Sequence, residues 1–322
     1  MPVVPSEAQD ALCDWYTRTA RRLPWRETRD PYAILVSEIM LQQTQAERVV
    51  PKYEAFLQQF PTVASLAAAS PAEVIRAWAG LGYNRRALNL QRTCAAIAER
   101  HGGVVPSSVE ELQALPGIGP YTAGAVACFA YEQDVAFADV NIRRVIHRVA
   151  VGPDVPQRLV SERELETIAQ AALPPGCGYV WNQGLMELGA TLCKARSAAC
   201  QSCPVRRWCR ATGQIQTLLA GLSRSANGER VPFERTSRFA RGRIIEALRV
   251  ADDPGLTEAE LLRWLEAMSP TVDLQQVPAH LQALVREGMV EAVDHPVGVF
   301  EESPSYDGTT PRRRVRYRLP VS

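Results

Sequence analysis

Leu115-Pro116-Gly117-Ile118-Gly119-Pro120-Tyr121-Thr122-Ala123-Gly124-Ala125 joins two short runs of helical periodicity, 109–115 and 122–131, through a Gly-rich turn. Glycine at Gly117 and Gly119 lets the backbone come close to a ligand. The helix that follows opens with unpaired N–H groups, a ready seat for a phosphate. A Pro-Gly-x-Gly turn can also do no more than end a helix. The two flanking helices, with Thr122-Ala123 opening the second, favour a hairpin of helices that grips a phosphate chain.

Outward from this hairpin the chain reads as helices to about residue 228. Apolar positions recur at helical spacing through 11–21, 32–45, 50–59, 72–79, 87–100, 141–151, 162–172 and 181–192. The breaks fall at Pro24, Pro31, Pro61, Pro71, Gly80-Leu81-Gly82, Gly102-Gly103 and Pro174-Pro175-Gly176. No alternating pattern competes, so this part is all-α.

Residues 222–237 are polar and aperiodic and read as a linker. Beyond them 241–250 is helical, Thr257-Glu258-Ala259-Glu260 is a capping box opening a second helix, and 277–287 is a third ended by Gly288. Residues 289–293 and 313–319 alternate like strands, with Val315, Tyr317 and Leu319 on one face and Arg314, Arg316 and Arg318 on the other. Three helices followed by a hairpin is the winged-helix order. The expected organisation is a catalytic region at 1–221, a linker at 222–237 and a small α+β winged-helix-like domain at 238–322. The arginine-faced strand could lie along phosphates, which position without specifying. It could equally be a solvated edge strand whose charges prevent aggregation.

Composition narrows the class of protein. Apolar residues make up 46% and charged residues 22% of 322, as in ordinary globular domains. No apolar run is long enough to span a membrane, and the N-terminus has neither a basic start nor an apolar core, so an intracellular, cytoplasmic chain is expected. The net charge of +1 hides an asymmetry. No acidic residue lies between Glu187 and Glu229, whereas Lys194, Arg196, Arg206, Arg207, Arg210 and Arg224 do. Such a stretch suits phosphates, although a solvated loop has the same composition.

Eight cysteines in such a chain argue against a disulfide framework. Four are scattered, and Cys193, Cys200, Cys203 and Cys209 follow a Cys-x6-Cys-x2-Cys-x5-Cys ladder. Four thiolates can hold zinc or a [4Fe-4S] cluster. Structural zinc sites favour two short-spaced pairs, and here only one pair is short, so the ladder suits the bulkier object.

Two carboxylates stand out. Glu38 lies in the almost wholly apolar run Ile34-Leu35-Val36-Ser37-Glu38-Ile39-Met40-Leu41. Desolvation there raises the pKa of a carboxyl and keeps it protonated, as a general acid must be. It could also be a buried helix-capping or salt-bridge partner of an arginine. Asp139 precedes a helix whose Ile142, Val145, Ile146 and Val149 share a face, which makes it an N-cap favoured as an anion. Capping could be its whole role. An acid and an anion are what cleavage of an N-glycosidic bond requires.

The cysteine ladder and the hairpin resemble those of the endonuclease III superfamily of helix-hairpin-helix DNA glycosylases. LPWR, DPYAILVSEIMLQQTQ, GLGYNRRALNL, LPGIGPYTAGAVA, ADVNIRRV and WNQGLMELGA narrow the resemblance to MutY-type adenine DNA glycosylases across residues 10–210. The resemblance implies an all-α core of a six-helix module at about 23–134 and a cluster module at 1–22 and 135–221, with a [4Fe-4S] cluster on Cys193, Cys200, Cys203 and Cys209. It implies removal of adenine mispaired with 8-oxoguanine or guanine from double-stranded DNA by base flipping. Glu38 would protonate adenine N7 and Asp139 would stabilise the sugar cation. Tyr121 and Asn141 would assist, and Gln183 would contact the flipped adenine. Gln43, Thr44 and Tyr83 would fill the gap and touch the opposite guanine. Arg26, Leu81, Gly117 and Gly119 would join the DNA-binding set. The enzyme would act as a monomer, in a bacterium, on the nucleoid.

Strand-cutting members of the superfamily carry a lysine where this chain has Tyr121. The only lysines, Lys52 and Lys194, lie elsewhere in the sequence, so hydrolysis by water is expected. Two features depart from the family pattern. Asn84 stands where an aromatic often follows Tyr83, and the tail replaces a Nudix-like domain. An endonuclease III-like lyase, a mismatch-thymine glycosylase and a non-catalytic iron–sulfur DNA-binding regulator are the competing readings.

Overall fold

The computed structural model describes residues 4–225, 231–295 and 314–321. Its α-helices are α1 (Ser6–Thr19), α2 (Pro31–Leu41), α3 (Ala46–Gln59), α4 (Val63–Ala68), α5 (Pro71–Ala77), α6 (Arg85–Arg100), α7 (Val109–Gln113), α8 (Pro120–Tyr131), α9 (Val140–Ile146), α10 (Glu162–Ala171), α11 (Gly178–Thr191) and α12 (Ile215–Ser225). Then come α13 (Ser237–Val250), β1 (Leu256–Thr257), α14 (Glu258–Met268), α15 (Val277–Arg286), β2 (Glu291–His295) and β3 (Arg314–Arg318). No described helix is long and apolar enough to cross a membrane.

The chain forms two compact units, one of residues 1–46 and 99–228, the other of 47–98 and 229–322. In the first, α2 and α8 pack together and supply much of the core. Tyr32 through Met40 of α2 and Thr122 through Phe129 of α8 are buried without interruption, as expected of helices apolar all round. Asp30 caps α2 through Tyr32 N, with Pro31 at its first position. The turn between α7 and α8 is the expected hairpin. Gly117 takes φ 82°, and Gly119 caps α8 ahead of Pro120.

Two helix glycines bring segments closer than any side chain would permit. A Cβ on Gly124 would stand 2.7 Å from Phe137 Cβ, and one on Gly189 2.6 Å from Asn141 Cβ. The segment leading into α9 therefore lies against α8, and α9 lies against α11.

Helix boundaries differ from expectation at identifiable points. α2 stops at Leu41 because Gln42 leaves the helix with ψ 115°, and Gln43 follows at φ 56°. α9 continues as a π-helical turn, His147–Val151, rather than as an α-helix. The periodicity overlooked α4, six residues fixed by a Thr62/Ser65 capping box, and α12.

In the second unit the tail is winged-helix-like. Its sheet has the order β1-β3-β2, all antiparallel, with Leu256 opposite Tyr317 and Ala292 opposite Tyr317 on the other side. β3 is thus the central strand, not an edge. The expectation of an arginine face free for phosphate is corrected for its described members. Arg316 donates to Gly255 O and Glu260 Oε2, and Arg318 to Glu291 Oε2 and Asp253 Oδ1. The Arg314 side chain, Arg312, Arg313, the hairpin tip and residues 226–230 of the expected linker lie outside the described residues. Ile244, Ile245, Leu248, Leu261, Leu265, Leu281 and Leu284 form one core with Ala72, Ile75 and Leu88 of α5 and α6, and Ala72 N donates to Pro320 O at 2.8 Å.

Candidate active site

Four elements of the first unit converge on Glu38. Its side chain is 3% exposed within α2, and the Tyr121 hydroxyl of α8 donates to its Oε2 at 2.8 Å. Burial pushes the Glu38 carboxyl up to about 7. The Tyr121 hydrogen bond pulls it down, and the Asp139 charge adds to the rise. The same burial and the same two carboxylates drive the Tyr121 phenol well above its ordinary value. Tyr121 is set by Phe137, whose ring meets it edge-on at 5.5 Å, and by Met186 Sδ at 4.0 Å.

Asp139 caps α9. Its Oδ1 accepts from Asn141 N (2.9 Å) and Ile142 N (2.7 Å), and its Oδ2 accepts from Asn141 Nδ2 (2.8 Å). Asn141 is held in turn: its Oδ1 accepts from Arg144 Nη2 at 2.7 Å, and Arg144 also donates to Gly189 O and Cys193 O. A chain of direct hydrogen bonds therefore runs from Asp139 to the backbone of the first ladder cysteine.

Arg26 and Gln183 border this group. Arg26 Nε donates to Gln183 Oε1 at 3.0 Å, and Arg26 Nη2 to Glu187 Oε2 at 2.8 Å. Glu187 is buried, which would raise its pKa, but Arg21 and Arg26 outweigh burial and hold the carboxyl below its ordinary value. The buried carboxylate paired with arginine is thus Glu187, whereas Glu38 has no salt bridge among the described residues.

The structure brings Glu38, Tyr121, Asp139, Asn141, Arg26 and Gln183 into one unit, with Gly117, Gly119, Gln43 and Thr44 in the same unit. Thr44 turns back on α2 through Leu41 O and Gln42 O. Leu81 and Tyr83 belong to the second unit, where Leu81 is buried and Tyr83 is 37% exposed. Among the described residues only Gln43, Tyr83 and the helix-ending Glu132 take positive φ without being glycine. A bulky residue in that region costs on the order of 1 kcal/mol, and such strain concentrates at working sites.

Sequence reasoning missed Arg144, Glu187, Arg21 and Gly189. A charged residue inside WNQGLMELGA and a glycine at its close were the available signals.

The ladder cysteines line a cavity of about 20 Å³ together with Val145, Val149, Leu188, Ala211 and Ile215. No three described His, Cys, Asp or Glu side chains form a group that could grip a single metal ion. Arg148, 1% exposed, enters from the α9 side. Its Nε donates to Asp154, its Nη1 to Cys193 Sγ and Lys194 O, and its Nη2 has no hydrogen-bond partner among the described residues. A buried cation with a spare N–H beside four thiols suits a group of net negative charge. Lys194, Arg196, Arg206, Arg207 and Arg210 are exposed around it.

Residues 36–171 match the family described as HhH-GPD superfamily base excision DNA repair protein. Among solved structures, a thermostable thymine-DNA glycosylase superimposes with TM-score 0.58 and 30% identity, over 62% of this chain and 93% of that one. Among curated proteins, the adenine DNA glycosylase of Mycolicibacterium smegmatis is 41% identical over 285 residues, 87% of this chain and 91% of that protein. The human adenine DNA glycosylase is 42% identical over 216 residues, 64% of this chain and 39% of the human protein. The chain belongs to the adenine DNA glycosylase family.

Proposed function

We propose that this enzyme removes adenine opposite 8-oxoguanine or guanine in double-stranded DNA, by hydrolysis of the N-glycosidic bond after the nucleotide is flipped out. The observation that carries the reading is a buried carboxyl hydrogen-bonded to Tyr121 and within the electrostatic reach of a second, helix-capping carboxylate, so that burial lifts its pKa to about 7. At neutral pH Glu38 holds its proton about half the time and can deliver it to adenine N7, which makes the base a better leaving group. Asp139, fixed by three hydrogen bonds, supplies the anion opposite the sugar cation. Asn141 and Arg144 hold that carboxylate in place. Gln183, anchored by Arg26, faces the base.

Tyr121 offers no amine. Lys52 lies in the second unit beside Gly80, and Lys194 lies in the cysteine loop. With a phenol in place of the lysine that strand-cutting members carry at this position, the reaction is hydrolysis by water and proceeds without strong lyase activity. Gln43, Thr44 and Tyr83 fill the gap left by the flipped base, Leu81 shapes the turn that carries Tyr83, and Gly117 and Gly119 seat a phosphate.

Cys193, Cys200, Cys203 and Cys209 are the ligands of a [4Fe-4S] cluster, which when bound supplies negative charge and a fixed shape to the basic loop. Arg148 offers a partner for that charge. The functional organisation is a catalytic region at 1–221, a linker at 222–237 and a winged-helix-like domain at 238–322. The enzyme acts as a cytoplasmic monomer on nucleoid DNA.

The test is a base-release assay over A:8-oxoG, A:G, A:C and T:G duplexes. Release from the first two, with strand breaks only after alkali, supports the reading. Release of thymine alone, or strand breaks without alkali, contradicts it.

A further inference from the structure

We propose that Arg238 and Arg249, both on α13 of the tail, are positioning residues that clamp the loop carrying Tyr83, so that the tail sets opposite-base discrimination through that side chain. The discrimination half of the proposal rests on the reading of Tyr83 as a gap filler.

The two arginines are eleven positions apart, about three helical turns, and so share one face of α13. Arg238 hydrogen-bonds the Tyr83 hydroxyl. Its guanidinium lies 5.0 Å from the Tyr83 ring centroid and 4.6 Å from that of Phe233. Arg249 takes the next residue of the loop. Its Nη2 donates to Asn84 Oδ1 at 2.8 Å and its Nε to Ile75 O at 3.1 Å.

From within α6, Arg86 Nη2 donates to Gly82 O at 3.1 Å, and its guanidinium lies 5.6 Å from the Tyr83 ring centroid. Tyr83 is thus gripped by Arg86 from the start of α6 and by Arg238 from the tail, with its backbone at φ 47°.

The Asn84 side of the clamp explains why this position is not aromatic. Asn84 is 9% exposed and Arg249 is largely buried, with Glu246 as its ion-pair partner. A buried guanidinium needs acceptors for its remaining N–H groups, and the Asn84 amide oxygen is one that a phenyl ring does not offer. Asn84 and Arg249 are a matched pair, 165 positions apart in sequence.

The experiment uses full-length, cluster-containing protein and the variants R238A, R238K, Y83A and R238A/Y83A. Amide hydrogen exchange over residues 80–86 without DNA reads the clamp directly. Single-turnover rates and Kd for adenine opposite 8-oxoguanine and opposite guanine, at several salt concentrations, read its consequence.

R238A is expected to speed exchange of the loop and to lower the 8-oxoguanine preference about three- to fivefold, the size of one exposed cation–π contact. R238K should recover part of both. R238A/Y83A should be no worse than Y83A, because the two residues act as a unit. Unchanged exchange in R238A overturns the clamp. Losses that multiply in the double variant, or a log–log salt slope shallower by about one unit in R238A, mean that Arg238 contacts phosphate itself and overturn the positioning role. If Y83A keeps full discrimination while R238A still loosens the loop, the gap-filling reading fails. The discrimination half then falls with it, and the clamp stands.

Discussion

The hydroxyl of Tyr121 donates to Oε2 of Glu38 at 2.8 Å, across 83 positions of sequence. That bond offsets part of the desolvation that lifts the Glu38 carboxyl to about 7. Removing it leaves burial and the Asp139 charge to push the carboxyl higher. Tyr121→Phe should therefore move the alkaline limb of the pH–rate profile upward. An unchanged or lowered limb would show that this bond does not hold Glu38.

The same carboxyl links stability to pH. The ordinary value is 4.5 and the folded value about 7, so the folded state keeps a proton that the unfolded chain releases between them. Stability from this group is full below about 4.5 and is lost as pH rises through 7, a total of about 3 kcal/mol. Glu38→Gln should abolish that slope and melt higher than the parent at pH 8 but not at pH 4. Equal melting-temperature differences at both pH values would contradict a raised pKa.

Asp139→Asn separates capping from chemistry. Asparagine caps a helix about as well as aspartate, so the melting temperature should change little. Single-turnover base release should fall by about 100-fold or more, because a neutral amide cannot offset the sugar cation. A large loss of stability with activity retained per folded molecule would make Asp139 a cap only.

Gly189→Ala places a methyl where Asn141 Cβ stands 2.6 Å away. Overpacking of this kind costs about 1–3 kcal/mol. It should also disturb the Asn141–Asp139 bond, lowering activity more than the same loss of stability elsewhere in α11. Native activity in a crystal-confirmed, unshifted α9 would show that this contact does not set Asp139.

Cys203→Ser should lower the iron content of the purified protein from about four per chain and weaken DNA binding together with it. Stoichiometric zinc in the parent would overturn the cluster assignment.

Much of this was legible because it is local. Apolar periodicity marks α2 and α8, Pro31 and Gly117 mark their boundaries, and an apolar run around a single carboxyl marks Glu38. The pattern could not register what depends on long-range approach. Arg144 reads as a surface residue of α9 until Gly189 brings α11 against it. Arg238 lies at the edge of a polar stretch that carries no sign of Tyr83. The arginine face of β3 looked free because its acceptors, Glu260, Glu291 and Asp253, come from other elements of the tail. The ion pair expected as an alternative for Glu38 exists instead at Glu187 of α11, with Arg21 and Arg26.

The most direct test is single-turnover adenine release from an A:8-oxoG duplex by the parent protein and by Glu38→Gln, with duplex affinity measured in parallel. Release by the parent should decline as pH rises above about 7, and the variant should keep near-native affinity while releasing adenine at least about 100-fold more slowly, the range of general acid catalysis. Near-parental release by Glu38→Gln would contradict it.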